Sequence, residues 1–405
     1  PAIAIARDGF QLIEFNLEEI QGVARELAGY KALHPEWSRV YTAGAGTVAP
    51  GFVLKQPDLA GTLEALAAEG PGLLYGGALG RKILDRLTEL GGCMVMDDLM
   101  SAKATWRDPV AVTYRGRTIH VPPPPCEGFQ FLLSLRILEG FDLAGMKRNS
   151  TEHLDTVLRA IRVAAGVRIA TGIPAPQKLA EILSDGHVEA LRARVRDGKP
   201  VIGPTEQWTP TKEPASAVDE SHTTSFSVAD SDGNLICLTQ SLGSVFGSGV
   251  VVPGTGLCLN NFLYWADVNP DSPNRVRPGE QLPMCMAPSI SLKDDAPVLA
   301  LGTPGSYGIL QTQVQAMVQH VDFGLPLQQA IEAPRARLTD GAEVLLESRV
   351  PGEIHADLRK LGHNVTTGPD WTMKVGGMQA VAVDPATGIF TGGCDPRRDG
   401  YCVPA

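Results

Sequence analysis

Residues 221–249 read SHTTSFSVADSDGNLICLTQSLGSVFGSG, and this stretch decides the fold of the chain. Apolar residues alternate with small polar ones over 224–230 and again over 235–242, so each run predicts a β-strand. Asp232 and Gly233, between the two runs, predict a tight hairpin turn. The chain therefore turns back on itself here as two paired strands.

Two adjacent threonines stand at the head of the first strand, where β-propensity alone would explain them. The return strand would bring the hydroxyl of Ser241 close to Thr223. The preceding segment, 201–222, is rich in Pro, Thr, Glu and Ser without periodicity, which predicts a linker or mobile segment. A cut before Thr223 would give that residue a nucleophilic hydroxyl and a free α-amine. Such an amine has an unperturbed pKa of about 7.7 to 8.0 and can accept the hydroxyl proton near neutrality.

Composition limits what this chemistry can act on. The 405 residues are 43% hydrophobic and 20% charged, enough for one large core or two ordinary ones, and the apolar runs are too short for a membrane span. The net charge of -10, with no basic run longer than a pair, argues against a nucleic-acid or membrane partner. Small molecules are the expected partners.

The cysteines and histidines show no metal-binding spacing. Seven cysteines are dispersed without a Cys-x-x-Cys motif, and eight histidines are scattered without pairing. We therefore expect no metal and no cofactor. Unpatterned thiols favour a cytoplasmic over a periplasmic location, although a bridge between Cys394 and Cys402 stays open.

The first half of the chain has helical periodicity and the second half mostly the period of strands. This order predicts an α+β fold with sheets packed face to face and helices outside. The predicted helices are 16–30, 57–69, 76–90, 128–139, 150–171, 175–183, 309–321 and 326–332. The predicted strands are 109–114, 118–121, 224–230, 235–242, 290–292, 298–302, 343–346 and 379–383.

Several motifs give the chain a resemblance to a known family. TTSFSVADSDGNLICLTQSLGSVFGSG, followed by GLCLNNF, resembles the start of the small subunit of γ-glutamyltransferases, and YRGRTIHVPPPP, GTPGS and CDPRRDG match in order along the chain. The resemblance implies a four-layer αββα sandwich of the N-terminal nucleophile hydrolase type. It also implies a precursor that cuts itself into a large subunit, 1–222, and a small catalytic subunit, 223–405. Part of the large subunit, with any signal peptide, is expected to precede Pro1.

The family's catalytic residues carry over position by position. Thr223 stands where the family has its nucleophile, which places the cut between His222 and Thr223. Ser241 stands where the family has a second, supporting hydroxyl, and serine replaces threonine there. GTPGS matches the family's glycine loop, so the backbone N–H groups of Gly305 and Ser306 would form an oxyanion hole.

The family's substrate-binding residues do not carry over. Gly243, Phe262 and Trp265 replace the three polar residues that hold the α-amino group of a glutamyl substrate. Met284 and Cys285 replace the paired serines that hold its carboxylate, and the family's carboxylate-binding arginine falls before Pro1. With Tyr264, these side chains predict a pocket for an uncharged, apolar or aromatic acyl group. Core packing explains the same cluster.

The sequence therefore predicts an autoprocessing amide hydrolase, related to cephalosporin acylases, that acts on a small-molecule amide other than a γ-glutamyl one. Three alternatives stay open: a true γ-glutamyltransferase or glutathione hydrolase with altered contacts, a catalytically inactive binding homologue, and a C–C bond hydrolase using the same nucleophile. Assembly of the processed heterodimer into a homo-oligomer also stays open. Asp395 and Arg397 are expected to form a buried ion pair that holds the last loop.

Overall fold

The computed structural model describes residues 1–30, 33–205 and 221–404. The chain forms two compact units, one made of Pro1–Trp106 with Leu242–Phe262 and the other of Arg107–Ser241 with Leu263–Ala405. This division differs from the predicted subunits because a processing site need not coincide with a packing boundary. Within the described residues, no helix combines the length and apolar character needed to cross a bilayer.

The first unit is mainly helical. Its core joins helices α2 (Glu14–Leu27) and α3 (His34–Tyr41) to the segment Leu242–Phe262. In this core the Phe246 ring lies 4.4 Å from that of Tyr41 and 5.2 Å from that of Trp37. Its elements before residue 107 are α1 (Ala2–Asp8), β1 (Phe10–Gln11), α2 (Glu14–Leu27), α3 (His34–Tyr41), β2 (Val53–Leu54), α4 (Pro57–Glu69), α5 (Ala78–Glu89) and α6 (Met96–Ser101).

The second unit carries most of the β-structure. Its first elements are β3 (Val110–Tyr114), β4 (Arg117–Val121), α7 (Phe129–Leu138), α8 (Thr151–Thr171), α9 (Pro176–Ile182), α10 (Asp185–Arg196), β5 (Ser221–Ala229) and β6 (Leu235–Ser244), whose last residues belong to the first unit. The later elements are β7 (Ser289–Lys293), β8 (Ala296–Gly302), α11 (Ile309–Met317), α12 (Leu327–Glu332), β9 (Ala336–Leu338), β10 (Glu343–Glu347), α13 (Gly352–Lys360), β11 (Asn364–Gly368), β12 (Gln379–Val383) and β13 (Phe390–Cys394).

A six-stranded sheet organises this unit. Its order is β13-β12-β8-β7-β4-β3, with every neighbouring pair antiparallel. Helices α7 and α11 pack on one face, with α8 packed against both helices, and Leu299 and Leu301 of β8 join the main core there. Because successive strand residues point to opposite faces, Ala300 and Gly302 lie on the second face of the sheet. The α+β fold predicted from the sequence is confirmed.

The predicted hairpin, β5 and β6, packs on the second face, against β8 and β12. Its turn is closed by Asp230, whose carboxylate accepts hydrogen bonds from the backbone N–H groups of Asp232 and Asn234 at 3.0 and 2.9 Å. Small polar side chains point toward the six-stranded sheet. The large apolar side chains Phe226, Val228, Ile236 and Leu238 are exposed on the opposite face of the hairpin.

The hairpin approaches β8 closely because of Gly302. A Cβ atom at Gly302 would lie 2.1 Å from the hydroxyl oxygen of Ser225 and 3.0 Å from the sulfur of Cys237. The Ser227 hydroxyl donates to the backbone oxygen of Gln379 in β12 at 3.3 Å. Direct contact between the two layers therefore requires a residue without a side chain at position 302.

We expect Gly302→Ala to lower the free energy of unfolding by about 1 to 3 kcal/mol, the usual cost of overpacking a filled interior. Gly166→Ala is the control, because nothing lies within 4 Å of a Cβ at that position in α8. It should stabilise by roughly 0.5 to 1 kcal/mol, as glycine-to-alanine changes in helices do. Urea unfolding of both variants makes the comparison, and equal effects would contradict the close approach at Gly302.

Candidate active site

The hairpin brings the two predicted catalytic hydroxyls together. The Thr223 Oγ1 atom donates to Ser241 Oγ across the two strands at 3.1 Å. Thr223 is 8% exposed, so its hydroxyl is shielded from bulk water but is not sealed. Two residues further along, Ser225 Oγ lies 3.4 Å from Thr239 Oγ1. The inner face of the hairpin is a row of paired hydroxyls with Thr223 at its end.

The predicted oxyanion loop lies at the carboxyl end of β8. Gly305 leads into a 3-10 turn, Ser306–Gly308, which the Gly308 N–H closes by donating to the Gly305 carbonyl at 2.9 Å. Strand β5, which carries Thr223, contacts this turn. Backbone N–H groups at such a turn can stabilise an oxyanion that develops on a bound carbonyl.

Ser306 adopts an unusual backbone conformation for a residue with a side chain. Its φ is +54°, in the left-handed region that glycine favours, and the residue is buried. A left-handed conformation costs an L-residue about 1 to 2 kcal/mol, so surrounding packing must hold it. Serine thus occupies the site where the family's loop is expected to have glycine, at the cost of local strain.

A second glycine-containing loop, with Gly376 and Gly377, packs against the predicted oxyanion loop. Gly376 has a φ of +91°, and a Cβ there would lie 2.7 Å from Thr303 Oγ1 and 3.2 Å from the Pro304 carbonyl. The Gly377 N–H donates to Thr303 Oγ1 at 3.1 Å. The backbone just before Gly305 is therefore held by contacts that leave no room for a side chain at position 376.

Buried charges anchor this second loop. Asp395 accepts from Arg397 Nη1 at 3.0 Å, from the Met378 N–H at 3.0 Å and from Arg335, which confirms the predicted ion pair. Glu347 completes the network, accepting from Arg397 Nε at 2.6 Å. Burial opposes ionisation of Asp395, but the charges of the two arginines outweigh it and lower its pKa.

The predicted acyl-pocket residues of the second unit differ in burial. Trp265 is buried, with its ring centroid 5.7 Å from that of Tyr307, the residue after Ser306. Cys285 is fully buried, and burial, followed by the charge of Glu127, raises the pKa of its thiol, so the side chain stays neutral. Tyr264 is 61% exposed, because neighbouring residues of a 3-10 turn point in different directions.

Two predicted pocket residues belong to the first unit. Gly243 has a φ of +97°, and a Cβ there would lie 2.1 Å from Asn261 Oδ1. That oxygen accepts the Ser244 N–H at 2.9 Å, and the neighbouring Phe262 N–H donates to Asn260 Oδ1 at 3.1 Å. The Asn261 side chain thus occupies the space that a Cβ at position 243 would need, so a side chain there would require Asn261 to move and would be strained at this φ.

The predicted processing segment is partly described. Of 201–222, residues 206–220 lie outside the described residues, and His222 precedes Thr223 within β5. Thr205 is fully buried, and its carbonyl accepts from Arg168 Nη2 at 2.8 Å. In the described part of the chain, no three His, Cys, Asp or Glu side chains are grouped to hold a metal ion.

Sequence reasoning missed three buried residues, Glu127, Arg168 and Tyr307, of which Tyr307 belongs to the predicted oxyanion turn. The Arg168 guanidinium carbon lies 4.5 Å from the centroid of the Tyr307 ring, and Arg168 Nη1 donates to Glu127 Oε1 at 2.7 Å. The available signal was an arginine on the apolar side of α8, a helix whose other buried residues are mostly aliphatic.

A hairpin that pairs two hydroxyl groups, a glycine loop beside it and layered sheets and helices fit the N-terminal nucleophile hydrolase fold. The gamma-glutamyltranspeptidase family model matches residues 1–405, and the chain belongs to that family. It is 33% identical over 407 residues to the acylase ACY 1 proenzyme of Pseudomonas sp. strain SE83, covering 100% of this chain and 70% of that protein.

Other relatives agree with this assignment. The glutathione hydrolase proenzyme of Bacillus subtilis strain 168 is 28% identical over 418 residues, covering 100% of this chain and 70% of that protein. The crystal structure of cephalosporin acylase from Bacillus halodurans is 27% identical with a TM-score of 0.88, covering 99% of this chain and 72% of that chain. The chain is a hydrolase that acts on amide bonds, and its fold is the α+β sandwich that the sequence predicts.

We expect Ser306→Gly to retain amide hydrolysis and to leave the free energy of unfolding unchanged or up to about 1 kcal/mol higher, because relief of strain slightly exceeds the added chain entropy. Ser306→Val should destabilise by at least about 1 to 2 kcal/mol and lower kcat, because a β-branched residue does not tolerate this φ. Urea unfolding and steady-state turnover measure both effects. If the Ser306→Val variant were as stable and active as wild type, the left-handed conformation would be contradicted.

Proposed function

We propose that this chain is an autoprocessing N-terminal threonine amide hydrolase that removes an apolar or aromatic acyl group from an amine. The observation that carries the proposal is the 3.1 Å hydrogen bond between the Thr223 and Ser241 hydroxyls, on a strand that contacts the oxyanion turn. The proenzyme names of both relatives support a processed precursor.

Processing would begin at the bond between His222 and Thr223. The Thr223 hydroxyl attacks the His222 carbonyl carbon, the C–N bond breaks, and the proton passes to the departing nitrogen. Water then hydrolyses the resulting ester, which leaves a carboxylate on His222 and a free α-amine on Thr223. The new amine supplies the base that an internal threonine lacks.

Turnover repeats the same chemistry on a substrate. The α-amine of Thr223 takes the proton from the hydroxyl, directly or through water, as the oxygen attacks the amide carbonyl. The N–H groups of Gly305 and Ser306 would stabilise the oxyanion, and the amine returns the proton to the leaving nitrogen. Water releases the acid from the acyl-enzyme. Ser241 would hold the attacking oxygen in line throughout.

The choice of an apolar or aromatic acyl group rests on the properties of the predicted pocket residues. Asn261 occupies the space that a Cβ at position 243 would need, and Cys285 is buried and neutral. A glutamyl ammonium bound without partners would lose charge-assisted hydrogen bonds of about 1.5 to 3 kcal/mol each. The acylase names of two relatives support an amide substrate other than a γ-glutamyl compound.

We expect Thr223→Ala to abolish both processing and turnover because the nucleophile is removed. Ser241→Ala should slow turnover by about 10- to 1000-fold through the lost supporting hydrogen bond. Ser225→Ala is the matched control, since it removes a hydroxyl from the same strand face two residues away. Denaturing electrophoresis and N-terminal sequencing follow processing. Full activity in an uncleaved Thr223→Ala chain would refute the mechanism.

The substrate class is tested with processed enzyme and a panel of anilides. An anilide of an aromatic acid should be hydrolysed at least about a hundredfold better in kcat/KM than γ-glutamyl-p-nitroanilide, because two or more charge-assisted hydrogen bonds are missing for the latter. Glycylglycine should not accelerate acyl transfer. If the γ-glutamyl compound proves the best substrate, the chain is instead a γ-glutamyl hydrolase or transferase.

A further inference from the structure

Helix α8 carries three buried arginines that hold backbone carbonyls of the segment leading toward the processing site. Arg159 donates to the Gly198 carbonyl at 3.0 Å and Arg162 to the Gly203 carbonyl at 3.2 Å. Arg168 donates to the Thr205 carbonyl at 2.8 Å and is 0% exposed. The contacts of Arg168 also extend to the oxyanion loop, through Tyr307.

Three hydrogen bonds hold the Arg168 guanidinium in addition to its contact with Tyr307. Besides Thr205, its guanidinium donates to Gln130 Oε1 at 2.6 Å and to Glu127 Oε1 at 2.7 Å. Glu127 Oε2 has no hydrogen-bond partner among the described residues, so the charge of Glu127 is balanced through Arg168. A guanidinium bonded in three directions presents a fixed face to whatever packs on it.

That face is covered by Tyr307. The guanidinium carbon lies 4.5 Å from the ring centroid, within the range of a cation–π contact, and the buried setting strengthens the attraction. Tyr307 follows Ser306 directly, and its ring also contacts the Trp265 indole. Holding the Tyr307 ring restrains the Tyr307 backbone and its peptide link to Ser306, and this limits how the strained backbone of Ser306 can rotate.

We propose that Arg168 is a positioning residue that holds the oxyanion N–H of Ser306 in line through its stack on Tyr307. The proposal rests on the proposed function, in which the Ser306 N–H stabilises the oxyanion. Arg168 does not touch the reacting atoms. Its loss lets the loop relax toward unstrained backbone geometry, which turns the Ser306 N–H away from the developing charge.

The test compares processed variants by kcat, KM and Tm with an anilide substrate. Tyr307→Leu removes the π face, whereas Tyr307→Phe keeps it. Arg168→Met is combined with Glu127→Gln so that no unpaired charge is left buried. Arg162→Met is the matched control, because Arg162 also holds the 198–205 segment, through hydrogen bonds to backbone carbonyls.

We expect Tyr307→Leu and the Arg168 double variant to lower kcat about 10- to 100-fold with KM changed less than about threefold, since transition-state binding is lost. Tyr307→Phe should keep kcat within about threefold of wild type. Arg162→Met should lower Tm and leave kcat unchanged. If the double variant does not fold, the two Tyr307 variants decide the question.

Two results would overturn the proposal: equal kcat losses in the Arg168 and Arg162 variants, or equal kcat in Tyr307→Leu and Tyr307→Phe. Failure of the proposed function would give a different result. In that case the Thr223→Ala variant, measured beside these variants, would still hydrolyse the anilide. The two hypotheses are therefore separated by the same set of proteins.

Discussion

The inner face of the β5–β6 hairpin carries hydroxyl and thiol groups instead of large apolar side chains, and this lets it lie directly on the six-stranded sheet. Gly302 provides the space, and the Ser225 hydroxyl occupies it. The same row of small polar groups ends in the Thr223–Ser241 pair. Close packing of two sheets and placement of the candidate nucleophile are thus consequences of one constraint, the absence of bulk between the layers.

Local sequence signals predicted much of this architecture. Apolar periodicity predicts a helix at 57–69, and the structure has α4 at Pro57–Glu69, with proline at its first position and Gly70 after its last. Asp232 and Gly233 predict the hairpin turn, and antiparallel pairing then brings Ser241 to Thr223. Elements of this kind can be predicted because the hydrogen bonds that form them join residues only a few positions apart in the sequence.

Features set by distant residues could not be predicted. The alternation in β5 identifies a strand, but it does not tell which face packs on the sheet, and the apolar face of Phe226 is the exposed one. The left-handed φ of Ser306 and the exposure of Tyr264 depend on neighbours far away in sequence. Arg168 looks like an ordinary helix residue until its partners are known.

Formation of the acyl-enzyme on the Thr223 oxygen is the central claim. Processed enzyme can be mixed with a slowly hydrolysed anilide of an aromatic acid, quenched in acid within one turnover, digested and examined by mass spectrometry. The added acyl mass is expected on the peptide that begins with Thr223. Shorter fragments of that peptide that lack Thr223 and Thr224 but keep Ser225 should not carry it. An acyl group on any other residue, or turnover without a fragment that begins at Thr223, would contradict the claim.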